Sequence, residues 1–421
     1  MKTETTPKSM RLQIGIFGRT NVGKSSFLNM LANQDVAMTS SQPGTTTDVV
    51  EKSFELLPIG PVVFLDTAGF DDTSILADKR LERTKRIFNR ADVIVLLVEP
   101  NVWTDAEQEF YDEILNTEIP FFIVINKIDT GEPSGEFIET IGNHNLNIIK
   151  CSSVNIAQRE QYINEFKNAI INILPQGFTE PQPLIGDLLP PGGIAVLIVP
   201  IDMEAPKGRI ILPQVQAIRG ILDNNAIALV VKENEYFRAL QYLTKKPDLV
   251  VCDSQVVMKM VAETPLDIKC TTFSILFSRF KGDLNEQVRG AAAIEKLHAG
   301  DKILIAEACS HHANEDDIGR VKLPRWLTQY LGSDIQIDYA AGRDYPDNLS
   351  DYKVIIHCGG CMLTGQEMKR RIYKAVSHGI PITNYGMAIA LTNGVLERVL
   401  LPFENALKVW QQAKNNLKDF A

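Results

Sequence analysis

The chain has 421 residues, 45% hydrophobic and 23% charged, which is enough for several globular domains, each with its own core. A formal net charge of −9 argues against charge-driven binding to nucleic acid or an anionic membrane. The N-terminus is polar, the most apolar runs (residues 93–98 and 194–201) are too short to cross a bilayer, and six cysteines are too few for a disulfide framework. The expectation is a cytoplasmic protein with reduced thiols.

Residues 1–178 alternate short apolar runs with helix-like polar segments. Runs at 12–17, 62–65, 93–98, 121–125 and 148–151 read as buried strands, and the connections between them are long enough for helices. That pattern predicts a mostly parallel α/β sheet. Directly after the first run comes Gly18-Arg19-Thr20-Asn21-Val22-Gly23-Lys24-Ser25, followed by helical sequence from Ser26 to Ala32. Strand, glycine-rich turn and helix in this order form a phosphate cradle of backbone N–H groups and a helix N-terminus. Gly18, Val22, Gly23 and Ser26 would line it, Lys24 would neutralise the β and γ phosphates, and the Ser25 hydroxyl would ligate Mg²⁺. Asp66-Thr67-Ala68-Gly69 follows the second run: Asp66 can hold Mg²⁺ through water, and the Gly69 N–H can reach a γ-phosphate. Asn126-Lys127-Ile128-Asp129 closes the fourth run. Asp129 can accept from the ring N–H and exocyclic amine of guanine, Lys127 would lie over the base, and Asn126 would face the purine acceptors.

These motifs resemble the translation-factor-like GTPases, in particular the tRNA-modification and Era-like branch, over about 170 residues. The resemblance implies binding of GTP and GDP with Mg²⁺. It also implies a first switch at Pro43-Gly44-Thr45-Thr46-Thr47-Asp48, with Thr46 a Mg²⁺ ligand and a catalytic group beside Lys24 and Gly69. Cys151, Ser152 and Ser153 would form the loop behind the base. Phe70 stands where related enzymes place a water-orienting Gln, so slow intrinsic hydrolysis is expected. In this branch Asn21 would coordinate K⁺, which adds positive charge at the transition state.

A Pro- and Gly-rich stretch at 179–192 reads as a linker. Beyond it the α/β rhythm resumes, with strand-like runs at 194–201, 226–232, 249–252 and 271–276. A further set follows at 302–308, 334–339, 353–357 and 381–384. Gly282-Asp283 is the seam that divides a domain at 193–281 from another at 282–421. The expected class is α/β throughout, a P-loop domain followed by two smaller α/β domains with mainly parallel sheets.

Cys309 and His311 end one strand-like run, and His357, Cys358, Gly359, Gly360 and Cys361 end another. If both runs are parallel strands of one sheet, the thiols share its carboxyl edge, where open α/β sheets place ligands. Thr364-Gly365-Gln366-Glu367 reads as a capping box that opens a helix to about Ser377, so Cys361 precedes a helix N-terminus that favours thiolates. Besides inert buried thiols, three readings stay open on chemistry alone. One is a 4Fe-4S cluster on three cysteines, its fourth position taken by His311, His357, Glu315, Asp316, water or cargo. The others are structural zinc on Cys309, His311, Cys358 and Cys361, and a redox pair at Cys358 and Cys361. Cys151, Cys252 and Cys270 read as buried structural thiols; His144, His298 and His378 as solvated.

The two halves together resemble the FeFe-hydrogenase maturation GTPases over essentially the whole chain. That resemblance implies a 4Fe-4S cluster on Cys309, Cys358 and Cys361. It also implies a dimerising middle domain and a scaffold role: receiving a two-iron H-cluster precursor from radical-SAM maturases and delivering it to apo-hydrogenase. The alternative is an RNA- or ribosome-associated assembly GTPase with a structural zinc site, against which stand the acidic balance and the lack of a basic aromatic patch.

Overall fold

The computed structural model describes residues 10–32, 50–66, 87–88, 90–117, 119–142, 147–174, 183–201, 210–308, 317–342, 345–346 and 348–418. The chain divides into two compact units, Met1–Pro181 and Gln182–Ala421.

The first unit is built on a six-stranded sheet in the order β2-β3-β1-β4-β5-β6. Its strands are β1 (Leu12–Phe17), β2 (Val50–Leu56), β3 (Gly60–Asp66), β4 (Val93–Val98), β5 (Phe121–Ile125) and β6 (Ile148–Lys150). All pairings are parallel except β2 with β3. Every residue of β1 and β4 is buried, as continuous apolar runs covered on both faces require. One face packs on Phe27 and Phe166 and contributes Phe122; the other packs on Phe88 and Phe110 and contributes Phe17. At roughly 1.5–3 kcal/mol per buried apolar side chain, these two layers hold the sheet that carries the phosphate loop.

The second unit holds two four-stranded parallel sheets. One, in the order β10-β9-β7-β8, comprises β7 (Ile194–Ile198), β8 (Ile227–Val231), β9 (Leu249–Cys252) and β10 (Lys269–Thr272). The other, in the order β12-β11-β13-β14, comprises β11 (Lys302–Glu307), β12 (Gln336–Ala341), β13 (Val354–His357) and β14 (Ile382–Asn384). Residues of both sheets, from Val196 and Val250 to Ile305 and Ile356, belong to one continuous core. A polar chain crosses the 282–283 seam: the Ser278 hydroxyl and the Asn384 amide both donate to Gln287 Oε1, at 2.7 and 2.9 Å.

Two strand readings change. The run 271–276 is a strand only to Thr272, because the Thr272 hydroxyl accepts from the Ile275 N–H and caps a helix, Phe273–Lys281. The antiparallel β2, absent from the sequence reading, carries Glu51, Lys52, Ser53 and Glu55 among its apolar residues instead of forming an apolar run.

Candidate functional site

The phosphate loop leaves β1 where Ile16 pairs in register with Asp66 of β3, so the two motifs meet at one sheet edge. Asn21 takes a left-handed conformation (φ 65°) and Gly23 follows at φ 97°. A Cβ on Gly23 would lie 2.4 Å from the Asn126 amide nitrogen, so the loop needs glycine there on two counts. Lys24, at the start of the helix Lys24–Ala32, donates to the Gly18 and Arg19 carbonyls, both at 2.7 Å. Ser25 and Ser26 are exposed on the first turn, and Lys52 lies 3.8 Å from the Asp66 carboxylate.

The base-side loops are tied to this cradle. Asn126 is 1% exposed, and its amide donates to the Val22 carbonyl at 3.0 Å. Its Oδ1 accepts from the Ser153 N–H at 3.1 Å and the Ser153 hydroxyl at 2.8 Å. These bonds make Asn126 a brace between the phosphate loop and the loop behind the base. Ser153 supplies half of that brace, a role the sequence motif did not reveal. The Ser152 hydroxyl donates to Asp129 and orients its exposed carboxylate. Lys127, itself left-handed (φ 65°), pairs with Glu99 and runs beside Gly23. Thr46, Gly69, Phe70 and the first switch lie outside the described residues. Cys151 is fully buried, and burial pushes its thiol up to about 12.

The cysteine site lies at the carboxyl edge of the second sheet. β11 and β13 pair in parallel with Ala306 opposite His357. The Cys358 N–H then donates to the Ala306 carbonyl, and the Ala308 N–H donates to Cys358 Sγ at 3.2 Å. Cys309 and His311 lie outside the described residues. Gly360 is left-handed (φ 58°), and a Cβ there would meet the Met368 methyl at 2.3 Å; Gly359 has open space. Cys361 lies three residues before Thr364, whose hydroxyl accepts from the Glu367 N–H and caps the helix Gly365–Ser377.

His357 is turned away from a ligand role. It is 1% exposed; Arg371 donates to its Nε2 at 2.8 Å, so Nδ1 carries the proton and donates to the Cys358 carbonyl at 2.6 Å. Burial and the Arg371 charge hold its pKa down at about 3. With both ring nitrogens engaged, His357 leaves the set of candidate fourth ligands. Glu315 and Asp316 lie outside the described residues, as does His311.

Lys281, which the sequence reading passed over, is 3% exposed. Its ammonium donates to the carbonyls of Gly360, Cys361 and Leu363 at 3.2, 3.2 and 2.8 Å. Burial lowers its pKa to about 8, opposed by Cys361, Glu367 and Cys358. The donor set fits an anionic metal centre: two thiols at a strand end, a helix N-terminus beyond them and a buried cation against their loop. Among the described residues no group of three or more His, Cys, Asp or Glu gathers into a complete metal site. Cys252 and Cys270 are fully buried, and His298 and His378 are exposed.

Fold and site together define a P-loop GTPase domain followed by a two-sheet α/β unit. The 50S ribosome-binding GTPase family model matches residues 13–127. The hydrogen maturase F dimerization and tetramerization domain models match residues 184–282 and 285–402. The chain belongs to the hydrogen maturase F family. The tRNA modification GTPase MnmE of Picosynechococcus sp. is 38% identical over 170 residues, covering 39% of this chain and 35% of the relative. MnmE of Nostoc sp. is 37% identical over 168 residues, with the same coverage. The chain thus spans only about a third of the length of these curated relatives. Among solved structures, Era in complex with MgGDPNP and a 16S ribosomal RNA fragment shares 22% identity. It covers 55% of this chain and 98% of its own, with a TM-score of 0.33.

Proposed function

We propose that this chain is a GTP-hydrolysing scaffold or carrier in FeFe-hydrogenase maturation. It holds a 4Fe-4S cluster on Cys309, Cys358 and Cys361, receives a two-iron precursor made by radical-SAM maturases and delivers it to the apo-hydrogenase. The observation that carries this reading is the strand-end geometry beside Cys358, in a chain whose other unit is a P-loop GTPase domain. The Ala308 N–H on Cys358 Sγ brings the segment leading to Cys309 against the Cys358–Cys361 loop. A bound cluster with one iron not held by cysteine would supply an exchangeable coordination position.

The protein's own contribution on the nucleotide side is positioning and charge. Lys24 exchanges its two carbonyl partners for phosphate oxygens, Ser25, Thr46 and Asp66 hold Mg²⁺, and Asp129 selects guanine. Asn21, already in the left-handed turn, places its amide for K⁺; equal turnover in KCl and NaCl would remove that role. Hydrolysis gates partner association through the switches, so Lys24→Ala should leave partners undissociated by GTP. The names of the matched dimerization and tetramerization domains, with Ile227 of β8 55% exposed, support self-association.

Anaerobic purification with iron and sulfide analysis tests the cluster. Cys309→Ser, Cys358→Ser and Cys361→Ser should each lose the cluster while GTP turnover stays within about twofold of wild type, as expected for sites in separate compact units. A variant that keeps full iron removes its cysteine from the ligand set, and a zinc-containing, colourless wild type removes the reading.

A further inference from the structure

Lys281 is the last residue of its helix and stands at the end of the dimerization-domain match, while its three acceptors lie in the other domain's cysteine loop, 79, 80 and 82 residues further along the chain. Lysine near a helix C-terminus ordinarily keeps its charge in water. Here the ammonium turns inward under the Cys358–Leu363 loop, over the Phe277 ring at 5.4 Å. Removing an ammonium from water costs several kcal/mol unless anionic groups face it. The ionisable groups that act on this one are Cys361, Glu367 and Cys358, two of them the proposed cluster ligands. The adjoining surfaces close tightly: a Cβ on Gly282 would meet Ile372 Cδ1, on the helix that Thr364 caps, at 2.8 Å.

We infer that Lys281 is a positioning residue of the metal centre: it anchors the cysteine loop through its backbone carbonyls and supplies the counter-charge beneath the thiolates. The middle domain is then part of the cluster site, and the C-terminal domain alone does not complete it. This inference rests on the cluster reading above, and its two readouts separate the two ideas.

The experiment uses the full-length chain with Lys281→Met, Lys281→Gln and Lys281→Arg. In the metal-free protein, amide hydrogen exchange of residues 359–364 should quicken at least tenfold in Lys281→Met, with exchange in the β7–β10 sheet unchanged. After anaerobic reconstitution with iron and sulfide, the cluster's midpoint potential should fall in Lys281→Met and Lys281→Gln, because a cation that stabilises the reduced form is gone. Lys281→Arg should return it toward wild type, which simple loop packing would not do. Unchanged loop exchange, or an unchanged potential at full iron content, overturns the role of Lys281. Should Lys281→Met fail to fold, Lys281→Gln carries both measurements. A wild-type chain that takes up no iron overturns the cluster reading, while loop exchange still decides whether Lys281 anchors.

Discussion

The two sites solve one physical problem in different ways. Each lies at the carboxyl end of parallel strands, and each sets a lysine ammonium against backbone carbonyls of a glycine-containing loop. Lys24 finds its acceptors six and five residues away, at Gly18 and Arg19. Lys281 finds its own about eighty residues away, in another domain. The first lysine is only partly buried and can trade carbonyls for phosphate. The second is buried and has no such freedom, so it acts as part of the wall. A site closed within one loop can cycle with its ligand; a site closed by packing holds its shape while the ligand changes.

The widest separation between the two should come from Lys24→Ala. Loss of a preorganised charge at the transferring phosphoryl group costs about 10²- to 10³-fold in turnover. Iron content and the potential of the reconstituted centre should stay at wild-type values. Single-turnover GTP hydrolysis beside iron analysis reads both, and a loss of iron in this variant would break the separation of the sites.

Next in size is the continuous core of the second unit. Ile356 is fully buried and belongs to the cluster of side chains that includes Val196 and Val250 of the other sheet. Ile356→Ala should cost about 2–5 kcal/mol. If both sheets form one cooperative body, calorimetry should show one transition for this unit moving down by roughly 5–15 °C. The transition of the first unit should stay in place. Splitting into two transitions, only one of them shifted, would mean that the 282–283 seam separates independent bodies.

Much of this was legible in the sequence because it is local. The phosphate loop, Asn126 to Asp129 and the Thr364 cap are each complete within a few residues, and the buried parallel strands announce themselves as apolar runs. The failures have equally physical causes. β2 pairs at an antiparallel edge, where only alternate side chains such as Phe54 and Leu56 are buried, so no apolar run marks it. Phe273, Ile275 and Leu276 continue the strand-like run Thr271–Thr272 yet belong to a helix, because the Thr272 cap and the packing of the Phe273–Lys281 face outweigh intrinsic preference. The brace from Asn126 to Ser153 had no local sign, because it depends on a loop 27 residues away. Lys281 carries no local sign at all, since lysine in a helix's last turn is unremarkable and its acceptors appear only on folding.

The smallest effect sharpens the comparison most. The Thr364 hydroxyl accepts the Glu367 N–H and caps the helix that begins just after Cys361. Thr364→Ala should cost about 1 kcal/mol and lower the melting temperature of the second unit by roughly 2–4 °C. The cap and Lys281 support the same loop by different means, the helix N-terminus through partial charge and the ammonium through three direct hydrogen bonds. If the ammonium dominates, Thr364→Ala keeps full iron and a nearly unchanged potential despite its lower stability. If the potential falls as far as in Lys281→Met, the helix terminus shares the work equally. The cysteine site would then be more like the phosphate loop, resting on its own adjacent helix.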